Sequence, residues 1–335
     1  MKPLVSILLN CYNGEKYIVE QLKSIYSQTY SNWELIVYDD FSTDNTLNLV
    51  KKIINNDPRV KIVKNKKNLG LLESFRRGMK LVKGEYVCLA DNDNYWISTR
   101  LEKEVDYLNQ HPKELMVFHD SFISNQNLGI TSRSFTQLLN GKFWSISSFD
   151  TSNLSLENLL DNNQVTGISL MFRRCLNKSI IQIPNDEMHD GWIAKLSASN
   201  GKIGYIPEPL IIYRQHQNNY VGTSTNSNKF YFSAINKPEW QKIYTKKADL
   251  KIKSLNLLKK LIPKNPKNYY FINRKIKFYQ LALKIYKSNL ITLIPSFLSG
   301  IIFSIKTRYY SSIKYFIFFY LNRNISIIKK SLNLS

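Results

Sequence analysis

Two aspartates one residue apart, Asp91 and Asp93, close an apolar run of strand character, Glu85-Tyr-Val-Cys-Leu-Ala-Asp91-Asn-Asp93. Carboxylates delivered together to a sheet edge offer hard oxygen ligands, a donor set that suits magnesium or manganese carrying a phosphate-bearing substrate. The same residues also suit a solvated turn, because Asp and Asn bond readily to their own backbone. Taken alone, the stretch leaves both readings open. The earlier strand-like runs end in polar side chains too, at Asn10 and Asn13 and at Asp39 and Asp40. Ligands of open parallel sheets sit beyond the carboxyl ends of the strands, so these six side chains are expected to face one crevice. No GxGxxG or GxxxxGK loop accompanies them. A diphosphate held here calls for a metal ion rather than a nest of backbone N–H groups.

Such a crevice needs a sheet whose connections are helical, and residues 1–120 read that way. Strand-like runs fall at 4–10, 33–38, 60–64, 85–90 and 115–119. Between them, Ile18, Leu22 and Ile25, then Leu47, Val50 and Ile54, then Phe75, Met79 and Val82 recur at helical spacing and read as buried stripes. A further helix is expected from a capping box at Thr99 and Glu102, a stripe of Leu101, Val105 and Leu108, and a stop at Pro112. Residues 121–163, rich in Ser, Asn, Thr and Gln, read as a long irregular connection of the kind that forms lids and substrate-binding segments. A strand is expected at 165–172, and 217–238 read as a polar linker.

At 43% hydrophobic and 13% aromatic residues the chain excludes wholesale disorder. Its 335 residues suffice for one large α/β domain with an appendage, or for two modest domains. The net charge of +22 is uneven: residues 251–335 hold 17 Lys and Arg and no Asp or Glu, whereas residues 1–250 hold 30 basic against 25 acidic side chains. Cys11, Cys88 and Cys175 lie in apolar surroundings at neither metal-like nor disulfide-like spacing, which suits a reducing compartment. The apolar run that follows Lys2 is too short for a signal peptide and reads as a first strand, so a cytoplasmic protein is expected.

Val5-Ser-Ile-Leu-Leu-Asn-Cys-Tyr12-Asn13, Ser27-Gln-Thr-Tyr30, Glu34-Leu-Ile-Val-Tyr-Asp39-Asp40-Phe-Ser42-Thr-Asp44, Asn68-Leu-Gly70 and Lys83-Gly-Glu-Tyr86 together resemble the family 2 glycosyltransferases, in that family's order and spacing. The resemblance covers residues 1–222. It implies an α/β GT-A fold with a nucleotide-binding half at 1–120 and an acceptor half at 121–222, a nucleotide-sugar donor, and inversion at the anomeric carbon. It further implies that Asp39 recognises a pyrimidine base, UDP or dTDP, that Asp91-Asn92-Asp93 is the metal motif, and that Asp93 is the direct ligand of Mn2+ or Mg2+. Asn13, Asp40, Asp91 and Arg76 are expected around the nucleotide, and Thr166 and Gly167 along the donor-sugar pocket. Ala90 to Trp96 most resembles the version found in bacterial rhamnosyltransferase-like, capsule and O-antigen enzymes, with Asn94 where that version has a second Asp.

His189-Asp190-Gly-Trp192 matches the position of the family's catalytic base, a group the chemistry requires because the acceptor hydroxyl must lose its proton as it attacks. Asp190 is the expected base; the competing reading is an Asp that caps a helix beginning near Gly191. Tyr213-Arg214-Gln215-His216 resembles the segment that closes over the donor diphosphate. Arg214 and His216 are expected to offset the leaving group's charge, and His216 to complete the metal's coordination, against the alternative of a structural His.

The basic end, residues 251–335, is read as a helical tail after a linker at 223–250. Its uncharged run at 288–305 is interrupted by Asn289, Pro295 and Gly300 and falls short of a membrane span. Lys and Arg interleaved with Tyr, Phe, Ile and Leu suit a helix lying on an anionic leaflet, which would bring a lipid-linked oligosaccharide acceptor within reach at the inner face of the cell membrane. A helical interface with exposed lysines and, less well supported, nucleic-acid binding are the alternatives. No nucleic-acid motif is present, and none is expected as a partner. A catalytically impaired nucleotide-sugar-binding protein or scaffold is the rival to an enzyme, motivated by Asn94.

Overall fold

Strands buried on both faces read as continuous apolar runs, and the first two strands obey this rule. In the computed structural model, Val5–Cys11 (β1) and Trp33–Asp39 (β2) are almost wholly buried, while Val60–Lys64 (β3) lies at the sheet edge and Tyr86–Asp91 (β4) on the other side of β1. The structure describes residues 2–132, 154–161, 163, 165–217, 219 and 240–287. The chain divides into two compact units, Met1–Thr223 and Ser224–Ser335.

In the first unit, helices Ile18–Tyr26 (α1), Thr46–Ile54 (α2) and Leu71–Met79 (α3) connect the parallel strands β1 to β4. Tyr95–Trp96 (β5), helix Arg100–Gln110 (α4), Glu114–Ser124 (β6), Ile130–Ser132 (β7), Leu170–Arg173 (β8), helix His189–Asn200 (α5) and Lys202–Arg214 (β9) follow. The nine strands form one sheet in the order β3-β2-β1-β4-β8-β6-β9-β5, with β7 on β6. Only its first half is uniformly parallel: β8 runs antiparallel to β4 and β6, β5 antiparallel to β9, and β6 parallel to β9. The sheet is therefore mixed, rather than mostly parallel as the alternating pattern suggested.

The core on one face joins Ile7, Leu9, Leu35, Val37 and Cys88 to Ile18 and Leu22 of α1, Val50 of α2 and Leu101 and Val105 of α4. Phe75 and Met79 of α3 are fully buried, and a Cβ on Gly78 would strike the Leu8 side chain, so α3 lies directly on the opposite face of β1.

Several local expectations are corrected. Thr99 precedes α4 but makes no side-chain cap bond, and Glu102 accepts instead from Thr29 Oγ1 at 2.9 Å. The run at 165–172 opens with a 3-10 turn, Gly167–Ser169, because Thr166 Oγ1 and Ser169 Oγ pair at 2.7 Å and Ser169 Oγ donates to Thr166 O at 3.1 Å. The irregular stretch at 121–163 begins as the end of β6 and β7; residues 133–153 of it lie outside the described residues.

In the second unit, Trp240–Leu261 (α6) and Pro266–Lys287 (α7) form a helical hairpin. Asn265 Oδ1 accepts from Lys267 N at 2.9 Å and Asn268 N at 3.3 Å, an N-cap with proline in the following position. Leu255, Leu258, Ile262, Ile272, Ile276 and Ala282 are buried. Helix α6 starts inside the stretch read as a linker at 223–250. The rest of that stretch before Trp240, and the tail from residue 288 on, lie outside the described residues. Among the described residues no helix is long and apolar enough to cross a membrane.

Candidate active site

The chain winds from β1 through β2 to β3 on one side and then lays β4 on the other, so the carboxyl ends of β1 and β4 flank the point where the winding reverses. There Asn10 pairs in register with Asp91, and Cys11 with Asp39. Burial first, then the charges of Asp93 and Asp190, push the Asp91 carboxyl up to about 7. Burial also raises Asp93, opposed chiefly by His216, whose Nε2 is 3.1 Å from Asp93 Oδ2. Asp93 Oδ1 is buried without a hydrogen-bond partner. A Cβ on Gly14, just past β1, would collide with the Asn92 side chain, so the loop after β1 closes tightly on the acidic motif.

His216 is placed by its ring contact with Tyr17, centroids 4.9 Å apart. Arg214 departs from expectation. Its side chain is turned inward, with the residue 1% exposed. Nε donates to Asp93 O at 2.8 Å, Nη1 to Gln126 O at 2.5 Å and Nη2 to the Glu20 carboxylate, while the guanidinium carbon lies 4.4 Å over the Tyr17 ring. A guanidinium so engaged holds the Asp93 backbone rather than presenting its charge to a diphosphate. Asn94, 1% exposed, uses its Oδ1 to accept the Arg214 N–H at 3.1 Å. An Asp in this position would supply the same acceptor.

Asp39 and Asp40 are both buried at the end of β2. Asp39 Oδ2 accepts from Ser42 N at 3.0 Å and Oδ1 faces Cys11 Sγ at 3.6 Å, a contact that joins burial in pushing the Cys11 thiol up. Asp40 is committed to the following loop: Oδ1 accepts from Asn65 Nδ2 and Leu69 N, and Oδ2 from Gly70 N, each at 2.8 Å. That bracketing makes Asp40 a brace for the Asn68-Leu69-Gly70 turn rather than an open nucleotide ligand. Asn13 is exposed at φ +46, and its Oδ1 accepts from Thr43 N at 2.9 Å, tying the ends of β1 and β2 together.

Asp190 sits in the first turn of α5 and accepts from Gly191 N at 2.6 Å. The helix begins at His189 rather than near Gly191, and its positive end favours a carboxylate here. His189 packs at a tilt against Phe75 with centroids 5.1 Å apart, and burial lowers its pKa against the pull of Asp190. A Cβ on Gly167 would collide with His189 Nε2, which brings the Thr166-Gly167 turn to the same place. Thr166 itself is occupied by Ser169. Arg76, expected at the nucleotide, instead crosses from α3 to donate to Ile183 O and to Asn185 Oδ1 at 2.7 Å, and pairs with Glu73 at 3.3 Å. It braces the loop leading to Asp190 together with Lys195, which pairs with Glu187 at 2.6 Å. Tyr17, Glu20, Phe75 and Lys195 carried no signal in the sequence beyond helical spacing.

Among the described residues no three His, Cys, Asp or Glu side chains converge as a complete metal site; Asp93 and His216 form a pair. Asp190 adds its charge to the acidic cluster at Asp91 and Asp93. The mixed sheet flanked by helices is a GT-A fold. The fold matches S. aureus TarS, solved with UDP-GlcNAc, at a TM-score of 0.56 and 19% identity, covering 89% of this chain and 80% of that one. The chain belongs to glycosyl transferase family 2, whose model matches residues 6–179. It is 31% identical over 220 residues to an uncharacterized glycosyltransferase of Haemophilus influenzae, covering 64% of this chain and 67% of that protein. It is also 35% identical over 105 residues to WfaP of Escherichia coli, a UDP-Glc:alpha-D-GlcNAc-diphosphoundecaprenol beta-1,3-glucosyltransferase, covering 31% of this chain and 41% of that protein.

Proposed function

We propose that this family 2 glycosyltransferase is an inverting, cation-dependent enzyme that moves a sugar from a UDP- or dTDP-sugar to a lipid-linked oligosaccharide in surface-polysaccharide assembly. The observation that carries the reading is the meeting of Asp91, Asp93 and Asp190 at the strand-order reversal, with the buried Asp93 Oδ1 unpaired and His216 beside Oδ2. Asp93 and His216 fit a divalent cation: the orphaned oxygen lacks a partner that a cation would supply, and its charge would relieve the crowded carboxylates. When bound, the cation supplies Lewis-acid stabilisation of the departing diphosphate. Asp190 takes the proton of the acceptor hydroxyl as its oxygen attacks the anomeric carbon from the face opposite the diphosphate. The C–O bond to the diphosphate breaks with its electron pair, and the configuration inverts. Arg214 and Tyr17 keep Asp93 and His216 aimed into the crevice.

A lipid-linked acceptor is supported by the likeness to WfaP, whose own name specifies a diphosphoundecaprenol-linked acceptor, and a UDP donor by WfaP and TarS. The chain covers less than half of WfaP, so donor sugar and linkage are not carried over. The hairpin supports docking to an anionic inner leaflet, since residues 240–287 hold 14 Lys and Arg against the single acid Asp249.

Calorimetric titration of UDP and dTDP, each with and without Mn2+, against wild type and Asp93→Ala tests the donor site. Metal-dependent binding lost in the variant is expected, and no binding of either nucleotide by folded wild type would refute it. Asp190→Asn should abolish transfer while leaving UDP binding within about twofold; a collapse of UDP binding would remove Asp190 from the role of base.

A further inference from the structure

Phe41, immediately after Asp39 and Asp40, combines properties that core packing does not account for. Its backbone lies in the left-handed region at φ +67, where a side chain is disfavoured, yet the residue is 39% exposed. Glycine or asparagine would make the same turn without strain and without leaving an aromatic ring in water. The turn is held from both sides. Asp39 Oδ2 accepts from Ser42 N at 3.0 Å, Ser42 Oγ accepts from Asn13 N at 3.0 Å, and Asn13 Oδ1 accepts from Thr43 N at 2.9 Å. Lys64, the register partner of Asp39 on β3, carries its ammonium 5.5 Å from the ring centroid and donates to Ser42 O at 3.4 Å. The ring thus has a cation within cation–π range. At the neighbouring strand end Tyr12 is 49% exposed, so each of the two strand ends that bear Cys11 and Asp39 is followed within two residues by an exposed aromatic residue. Strain maintained by a braced turn beside a ligand crevice marks a functional constraint.

We propose that Phe41 is a specificity-determining residue of the donor site, a platform on which the pyrimidine base of the nucleoside diphosphate stacks. Stacking on an aromatic face needs no matching hydrogen bonds, and a ring displayed at a fixed angle gives up little entropy on binding. The left-handed backbone sets that angle, which explains why a residue poorly suited to the turn occupies it. The assignment rests on the donor reading above and goes beyond it in naming the group that selects for a planar base.

The test is titration of the full chain with UDP and, separately, with inorganic diphosphate, each with Mn2+, alongside thermal unfolding. Phe41→Asn should raise the Tm by about 2–4 °C through relief of strain. It should weaken UDP by about 5- to 150-fold, the range set by loss of one base-stacking contact, and leave inorganic diphosphate within twofold. Phe41→Trp should retain UDP affinity, and Phe41→Leu, apolar but without an aromatic face, should behave like Phe41→Asn toward UDP. UDP affinity unchanged in both Phe41→Asn and Phe41→Leu overturns the assignment while leaving the donor site intact. Equal weakening of UDP and inorganic diphosphate overturns it too, since a distorted crevice then explains the loss. Failure of wild type to bind UDP or dTDP overturns the donor reading and this assignment with it.

Discussion

Replacing Arg214 separates a residue that touches the diphosphate from one that builds the site. Its guanidinium makes bonds to two backbone carbonyls, Asp93 O and Gln126 O, pairs with Glu20 and stacks on Tyr17. Hydrogen bonds from a charged donor contribute about 1.5–3 kcal/mol each. The Glu20 pair adds little, because that side chain is 48% exposed and free to hydrate, so about 0–1 kcal/mol is assigned to it. The ring contact adds roughly 0.5–2 kcal/mol. These contributions share one group and do not add fully, so Arg214→Ala is expected to cost about 3–5 kcal/mol, close to what removing one partner of a buried charge pair costs. At about 2–4 °C per kcal/mol, the Tm falls by roughly 6–20 °C. Arg214→Lys keeps the charge but cannot fork between Asp93 O and Gln126 O, so it should lose about half of this and weaken Mn2+-dependent UDP binding in parallel. Thermal unfolding by circular dichroism and calorimetric UDP titration measure both. A lysine variant with the wild-type Tm but weakened UDP binding would refute the positioning role and return Arg214 to the diphosphate.

Three further outcomes are expected. Buried Glu104 pairs with Arg100 at 3.2 Å and faces His119 Nε2 at 3.6 Å; burial pushes Glu104 up to about 7 and His119 down. Glu104 therefore contributes stability that is full below the unfolded carboxylate range and lost as pH rises through about 7, whereas His119 contributes stability lost as pH falls below its unfolded value. Glu104→Gln should flatten the decline in urea midpoint between about pH 4.5 and about 7, and an unchanged pH slope would count against the protonated carboxyl. Gly167→Ala drives a methyl group into His189 and should lower kcat for transfer at least about tenfold with UDP affinity retained, as a one-ångström misplacement allows; wild-type kcat would detach the Thr166-Gly167 turn from the reaction. The full chain should co-sediment with anionic vesicles at low salt and release at about 0.5 M NaCl, the behaviour of a polybasic surface. Equal binding to neutral vesicles would contradict an electrostatic dock.

The strand ends were legible because a strand buried on both faces must be apolar until it reaches solvent, so β1, β2 and β4 each announce where they stop. Asp39, Asp91 and Asp93 stand at those stops. Parallel order was legible only while helices alternated with strands. The antiparallel insertion of β8 between β4 and β6 is decided by pairing across 83–87 residues to β4 and 52–56 to β6, which no local period encodes. The direction of a charged side chain was the least legible feature. Arg214 and Arg76 both sit where a cation near a diphosphate makes chemical sense, and both turn to partners far away in sequence, Glu20 at a separation of 194 residues and Ile183 at 107.

That inward turn also accounts for the one departure from the family pattern. The side chain at position 94 acts through an oxygen that accepts the Arg214 N–H, a task for which Asn and Asp are equivalent, and Asn brings no extra charge into a pocket where Asp91 and Asp93 are already pushed up by burial. The loss of a carboxylate at Asn94 therefore leaves the Asp93 frame standing. The substitution thus falls within a backbone-holding network, and Asp93 and Asp190, the carboxylates to which the proposed reaction assigns roles, keep their identity.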